Sequence, residues 1–121
     1  MSKYFTTAET ACQCGCGKSS MDEDFMRKMD AMREEAGFPF IVTSAVRCGA
    51  HNNSVSSTGF DGPHTTGQAI DIGVDRQQAF TFIELAVKYG MTGIGVKQHG
   101  DGRFIHVDDL HEGVRPTVWS Y

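Results

Sequence analysis

Two short segments concentrate the side chains that bind metal ions. His64-Thr65-Thr66-Gly67-Gln68-Ala69-Ile70-Asp71 and Phe104-Ile105-His106-Val107-Asp108 together supply two imidazoles and two carboxylates. His64, Asp71 and His106 would make a set of three protein ligands, and such a set leaves a fourth tetrahedral position open for water, as a catalytic zinc requires. From spacing alone, the same residues also fit ordinary hydrogen-bonded surface positions. Asp108 shares a face with His106, because residues i and i+2 of a strand point the same way, while Ile105 and Val107 take the opposite face. An ionised carboxylate between apolar neighbours is costly unless it is paired or bound to a metal.

A second cluster of reactive side chains is formed by Cys12, Cys14, Cys16 and the distant Cys48. Four cysteines are few for a disulfide scaffold, and the first three lie too close together to close long loops. The C-x-C-G-C run with Cys48 could hold a structural zinc, although single-residue spacings are tighter than the usual C-x₂₋₄-C knuckle. A disulfide to Cys48 and free thiols are the other two readings, and a reducing compartment disfavours the bridge.

The elements that must position these residues follow from periodicity and punctuation. Ser20-Met21-Asp22-Glu23 reads as a capping box with acids in the first turn. Met21, Phe25, Met29, Met32 and Ala36 then recur at helical spacing as a core stripe, and Gly37 with Pro39 stops the helix. Phe40 to Ser44 is a β-rich run that delivers Arg47 and Cys48 beyond its end. Residues 49–67 contain almost no apolar side chains and are expected to form a long loop framing the site.

Gln68 to Gly73 alternates, so Ile70 and Ile72 face the core and Asp71 faces away from it. Asp75 is expected to cap a second helix, with Ala79, Ile83, Ala86 and Val87 as its buried stripe and Tyr89-Gly90 as its end. Strands over 93–97 and 103–108 are joined by Gln98-His99-Gly100-Asp101-Gly102, which is hairpin-turn chemistry, so they should be antiparallel neighbours. The pattern predicts an α+β fold: a small, mainly antiparallel sheet with helices packed on one side.

With 121 residues the chain has room for one domain, spanning 1–121, and folding should bury roughly two thirds of the extended-chain surface. The 11 Lys and Arg are scattered and the net charge is −4, which disfavours nucleic acid as a partner. No stretch approaches the ~20 apolar residues of a membrane span, and the N-terminus lacks the apolar segment of a secretory signal. A monomer that is cytoplasmic as synthesised, with no membrane partner, is the expectation.

H-x-x-G-x-A-x-D followed by F-[IV]-H-x-D resembles the D-Ala-D-Ala carboxypeptidase family of zinc peptidases, particularly its short, phage-rich branch of peptidoglycan peptidases. Thr43-Ser44-Ala45-Val46-Arg47-Cys48 looks like that family's T-S-G-x-R-C stretch; His51-Asn52 follows it, and Arg115-Pro116 with Trp119 is similar to its C-terminal tail. The resemblance covers residues 5–121. It implies a Zn²⁺ ion held by His64, Asp71 and His106 on a hedgehog/DD-peptidase-like fold, also shared with lysostaphin-type enzymes. It also implies that Arg47 binds a substrate carboxylate or steadies the tetrahedral oxyanion, tasks suited to a planar guanidinium.

Several members of the family carry Glu or Asp three residues before the second His, where this chain has Arg103, so that role does not carry over. Asp108 is the leading substitute, either as general base or as the partner that orients a ligand. His99 and Asp101 on the hairpin turn are further candidates for the base, while His51 and His111 read as bystanders. The implied activity is zinc-dependent hydrolysis of amide bonds in peptidoglycan peptides, as a carboxypeptidase or endopeptidase, in phage or prophage cell-wall lysis after release or as part of a virion. The competing expectation is a catalytically silent zinc-binding module that recognises wall peptides or a protein partner.

Overall fold

The computed structural model describes residues 2–121; Met1 lies outside them. Helix α1 (Thr7–Thr10) is a single turn closed by its own capping box, with Glu9 N donating to Thr6 Oγ1 (3.1 Å) and Thr6 N donating to Glu9 Oε1 (2.9 Å). Helix α2 (Glu23–Ala36) carries the methionine stripe and buries Phe25, Met26, Met29 and Met32. Its cap is Asp22, whose carboxylate accepts from Phe25 N at 2.9 Å, rather than the expected Ser20. Residues 20–22 are held outside the helix because the 66–68 turn crosses them: Asp22 N donates to the Gly67 carbonyl (2.9 Å). Gly67 has φ +77°, and a Cβ there would lie 2.8 Å from the Ser20 carbonyl oxygen, so this crossing requires glycine.

Five strands form one sheet in the order β1-β2-β4-β3-β5. They are β1 (Ile41–Ser44), β2 (Ala69–Gly73), β3 (Gly93–Lys97), β4 (Phe104–Asp108) and β5 (Thr117–Ser120). β1 pairs antiparallel with β2, β2 with β4 and β4 with β3, as the hairpin turn predicts. β5 pairs parallel with β3 and was not legible in the sequence, since its alternation is short and Val118 on it is exposed.

Helix α4 (Arg76–Lys88) crosses over between β2 and β3 and packs with α2. Its buried residues are Ala79, Phe82, Leu85 and Ala86, so the expected stripe is rotated: Ile83 is only partly buried and Val87 is exposed. The reason is Phe82, whose ring lies edge-on to Phe40 at 5.0 Å and draws the helix phase toward the larger side chain. Asp75 occupies the cap position without a side-chain cap bond. Residues 49–67 are more structured than a loop, containing helix α3 (Gly49–Val55) and two 3₁₀ turns, Gly59–Asp61 and Pro63–Thr65.

One apolar core lies between the helices and the sheet. Ile70 and Ile72 of β2, Ile94 of β3, and Ile105 and Val107 of β4 meet Phe25, Met29 and Met32 of α2 and Phe82, Leu85 and Ala86 of α4. The strand period of two therefore places Asp71, His106 and Asp108 on the face turned away from α2 and α4.

Candidate metal centre

β2 and β4 bring the two motifs together by register. Asp71 lies directly opposite His106, and β1 reaches the same point through the pairing of Ser44 with Asp71 after an irregularity between Val42 and Ser44. His64 comes from the second 3₁₀ turn, held there by Arg47 N donating to the His64 carbonyl (2.8 Å). The result is a triangle of ligand atoms: His64 Nε2 to Asp71 Oδ1 3.1 Å, His106 Nδ1 to Asp71 Oδ1 2.9 Å, and His106 Nδ1 to His64 Nε2 3.2 Å. Bonds of about 2.0–2.1 Å at tetrahedral angles separate ligands by about 3.3 Å, so these edges match a zinc-sized ion.

The far nitrogens of both rings decide what the near ones present. His64 Nδ1 lies 2.6 Å from the Ala45 carbonyl, which can only accept, so Nδ1 carries a proton and Nε2 is the atom turned into the site as a possible ligand. His106 Nε2 lies 2.8 Å from Asp108 Oδ2, which can hold a proton on Nε2 and so leave the Nδ1 lone pair to an ion in the site. Two imidazole nitrogens and a carboxylate oxygen thus converge within 3.2 Å. In that tautomer the three acceptors repel one another unless a proton or a metal ion lies among them.

The surrounding charges act on each group. Burial pushes the Asp71 carboxyl up, but the two imidazoles beside it, His106 and His64, outweigh burial and hold the group well below the usual carboxylate range. Burial opposes the charged form of His106, but the carboxylates on its two sides, Asp108 and Asp71, more than reverse that effect, so a proton on Nδ1 and a metal ion compete for the same place. Asp108 is fully buried and its carboxyl, pushed up by burial, is brought down to about 2 by hydrogen bonds from Arg115 and His106. Arg115 grips it with a fork, Nε to Oδ1 and Nη2 to Oδ2, each 2.8 Å.

Asp108 therefore stands at the Nε2 side of the His106 ring, behind the ligand atom. Arg47 lies closer to the ligands, with Nη2 4.0 Å from Asp71 Oδ2 and Nη1 donating to Asn52 Oδ1 at 3.0 Å. Asn52 is fully buried, and its amide nitrogen is in turn held by Thr58 Oγ1 (2.8 Å) and the Gly59 carbonyl. A cleft of about 650 Å³ opens over the triangle, with Arg47 and Ser56 to Thr58 along one wall and Phe104, Trp119 and Tyr121 along another. Trp119 lies over Gly95, paired with it in register, and Arg115 stacks on its ring at 5.0 Å.

The other candidates lie elsewhere. His99 points Nε2 at the Tyr121 carbonyl (3.1 Å), and Asp101 sits with Arg103 and Asp75 in a separate shallow depression. His51 and His111 are not among the residues lining the cleft. Sequence reading missed Asn52 and Arg115 as supports of Arg47 and Asp108. Their signal was only adjacency: Asn52 follows His51 in the motif, and Arg115 belongs to the tail that resembles the family.

An α+β domain with a His-Asp-His triangle, one nitrogen of each ring turned inward and a cleft above them, carries a candidate metal centre. Residues 3–108 match the family described as Peptidase M15, and the chain belongs to that family, whose members are zinc peptidases. It is thus a metallopeptidase acting on a peptide substrate. No curated protein matches the chain. Among the described residues no helix is long and apolar enough to cross a membrane.

Proposed function

We propose that this protein hydrolyses amide bonds in the peptides of bacterial peptidoglycan, using a zinc ion held by His64, Asp71 and His106. The observation that carries the reading is the convergence of two imidazole nitrogens and one carboxylate oxygen beneath an open cleft. A zinc ion held by these residues would supply an activated water near neutral pH and polarise the scissile carbonyl. Arg47, whose Nη1 is anchored on Asn52, turns the rest of its guanidinium to the substrate and binds its carboxylate or the tetrahedral oxyanion. Asp108 acts through His106, holding the Nε2 proton and so the orientation of the ligand nitrogen. Phe104, Trp119 and Tyr121 offer an apolar wall to the small side chains of the wall peptide, D-alanine included.

The protein works as a single-domain monomer, trimming a terminal D-Ala or cutting within the stem peptide or crosslink, in phage-type wall lysis after release from the cytoplasm. Zinc-loaded protein incubated with purified peptidoglycan, and separately with a stem peptide ending in D-Ala-D-Ala, should release alanine or new amino termini detectable by mass spectrometry. Chelation and His106→Ala should each abolish the release. Absence of any cleavage by folded, zinc-loaded protein would overturn the peptidase reading. It would favour a silent peptide-recognition module, a reading that draws on one observation: among the described residues lining the cleft, Asp71 is the one carboxylate, leaving no free acid to serve as base.

A further inference from the structure

The structure gathers the four cysteines far from the His-Asp-His triangle in chain position and chemistry. Cys12 Sγ lies 3.4 Å from Cys14 Sγ, and Cys14 Sγ lies 3.7 Å from Cys48 Sγ. All four sulfurs, that of Cys16 included, are within 4.8 Å of one another. Side chains two apart on an extended strand stand about 6.6 Å from each other, so the C-x-C-G-C run has been turned to bring its sulfurs together. The turn is made by Gly15 (φ +82°) and Gly17 (φ +90°) and closed by Cys12 N donating to the Lys18 carbonyl at 2.8 Å.

Three chemistries compete for such a cluster. A disulfide needs its sulfurs about 2.05 Å apart, well inside the separations seen. Free thiols have no reason to collect four at a time, three of them against solvent or half-buried, across a separation of 36 residues. Tetrahedral zinc thiolate, with bonds of about 2.3 Å, sets its sulfurs about 3.8 Å apart, close to the 3.7 Å edge and inside the 4.8 Å that bounds all four. Backbone amides also donate to the sulfurs, Cys48 N to Cys12 Sγ and His51 N to Cys48 Sγ, each at 3.3 Å, as the outer shell of a thiolate site does.

We propose that Cys12, Cys14, Cys16 and Cys48 hold a second, structural zinc ion that ties the N-terminal arm to the segment carrying Arg47. The placement gives the ion a purpose. Cys48 directly follows Arg47 and caps α3, which contains Asn52, the anchor of the guanidinium. The arm is laced to the same region by Val46 N to the Thr10 carbonyl (3.2 Å), and by Gln13 Nε2 to the Thr43 carbonyl (2.6 Å). Lys18 Nζ reaches the Thr65 carbonyl (3.2 Å), beside His64. A closed four-sulfur site leaves no coordination position for substrate, so its role is to fix geometry.

The test is metal analysis of the full chain purified under reducing conditions with zinc present. Two zinc ions per chain are expected for the unaltered protein, and one for His64→Ala. One is also expected for Cys14→Ser and for Cys16→Ser, which change exposed residues and should leave the far-ultraviolet circular dichroism intact. Cobalt loaded in place of zinc should show intense thiolate-to-metal charge transfer that survives His64→Ala and is lost in the two serine variants. One zinc per chain with four thiols reacting freely in the native protein would overturn the proposal. So would a mass two hydrogens short with two thiols missing, which would assign a disulfide instead.

Discussion

Replacing Asp108 by Asn keeps the shape of a fully buried side chain while removing its charge, and it separates positioning from proton transfer. The carboxylate accepts three hydrogen bonds, one from His106 Nε2 and two from the Arg115 fork, all at 2.8 Å. The amide has one accepting oxygen and one donating nitrogen. If the oxygen takes the place of Oδ1, the nitrogen in the place of Oδ2 meets Arg115 Nη2 and His106 Nε2 and forces the ring proton to Nδ1, the ligand atom. If the oxygen turns to His106, donor meets donor at the guanidinium. Either way one or two charge-assisted bonds worth about 1.5–3 kcal/mol each are lost, so metal-free Asp108→Asn should be less stable by about 3 kcal/mol in urea unfolding.

Affinity at the His-Asp-His centre should fall by about 10–100-fold, the usual effect of removing a ligand's orienting partner. Competition between protein and a chromophoric chelator measures it, with cobalt spectra separating this centre from any thiolate-bound ion. A general base predicts a different outcome: unchanged metal affinity and a fall in turnover of about 10²-fold or more at saturating zinc. Wild-type metal affinity together with unfolding within about 0.5 kcal/mol of wild type would refute the positioning role.

Arg47→Lys keeps the charge but loses the fork; it should raise KM if the guanidinium binds a substrate carboxylate, or lower kcat if it meets the oxyanion, and steady-state kinetics on a defined stem peptide distinguishes the two. Gly95→Ala places a Cβ 2.5 Å from Trp119 Nε1, so the ring must move; a loss of about 1–3 kcal/mol and altered emission from the single tryptophan are expected, and unchanged fluorescence would contradict the packing. Phe82→Ala removes the ring that sets the phase of α4 and should cost about 3–5 kcal/mol by urea unfolding with the His-Asp-His centre still able to bind metal. Chelation of the wild type should lower its Tm, because metal-binding energy is linked to folding, and re-added zinc should restore it.

The sequence by itself determined on which face of its strand each polar residue of the centre lies. On strands, alternation is a local property, so Ile70 and Ile72 inward require Asp71 outward, and Ile105 and Val107 inward require His106 and Asp108 outward. The methionine stripe of α2 was legible for the same reason, at a period of 3.6. Tertiary structure decided what no local pattern encodes. The partner of His64 Nδ1, the Ala45 carbonyl, and the Arg115 fork that holds Asp108 against His106 both come from other parts of the chain. The rotation of α4 follows from the contact of Phe82 with Phe40, which outweighs the small Val87 methyls that its own periodicity made equally eligible. The start of α2 at Asp22 depends on a turn 45 residues further on, because Gly67 occupies the space beside Ser20. The gathering of Cys48 with Cys12 and Cys14 required the arm to fold back on the strand that precedes Arg47, a long-range contact whose hydrogen bonds lie across the chain and not along it.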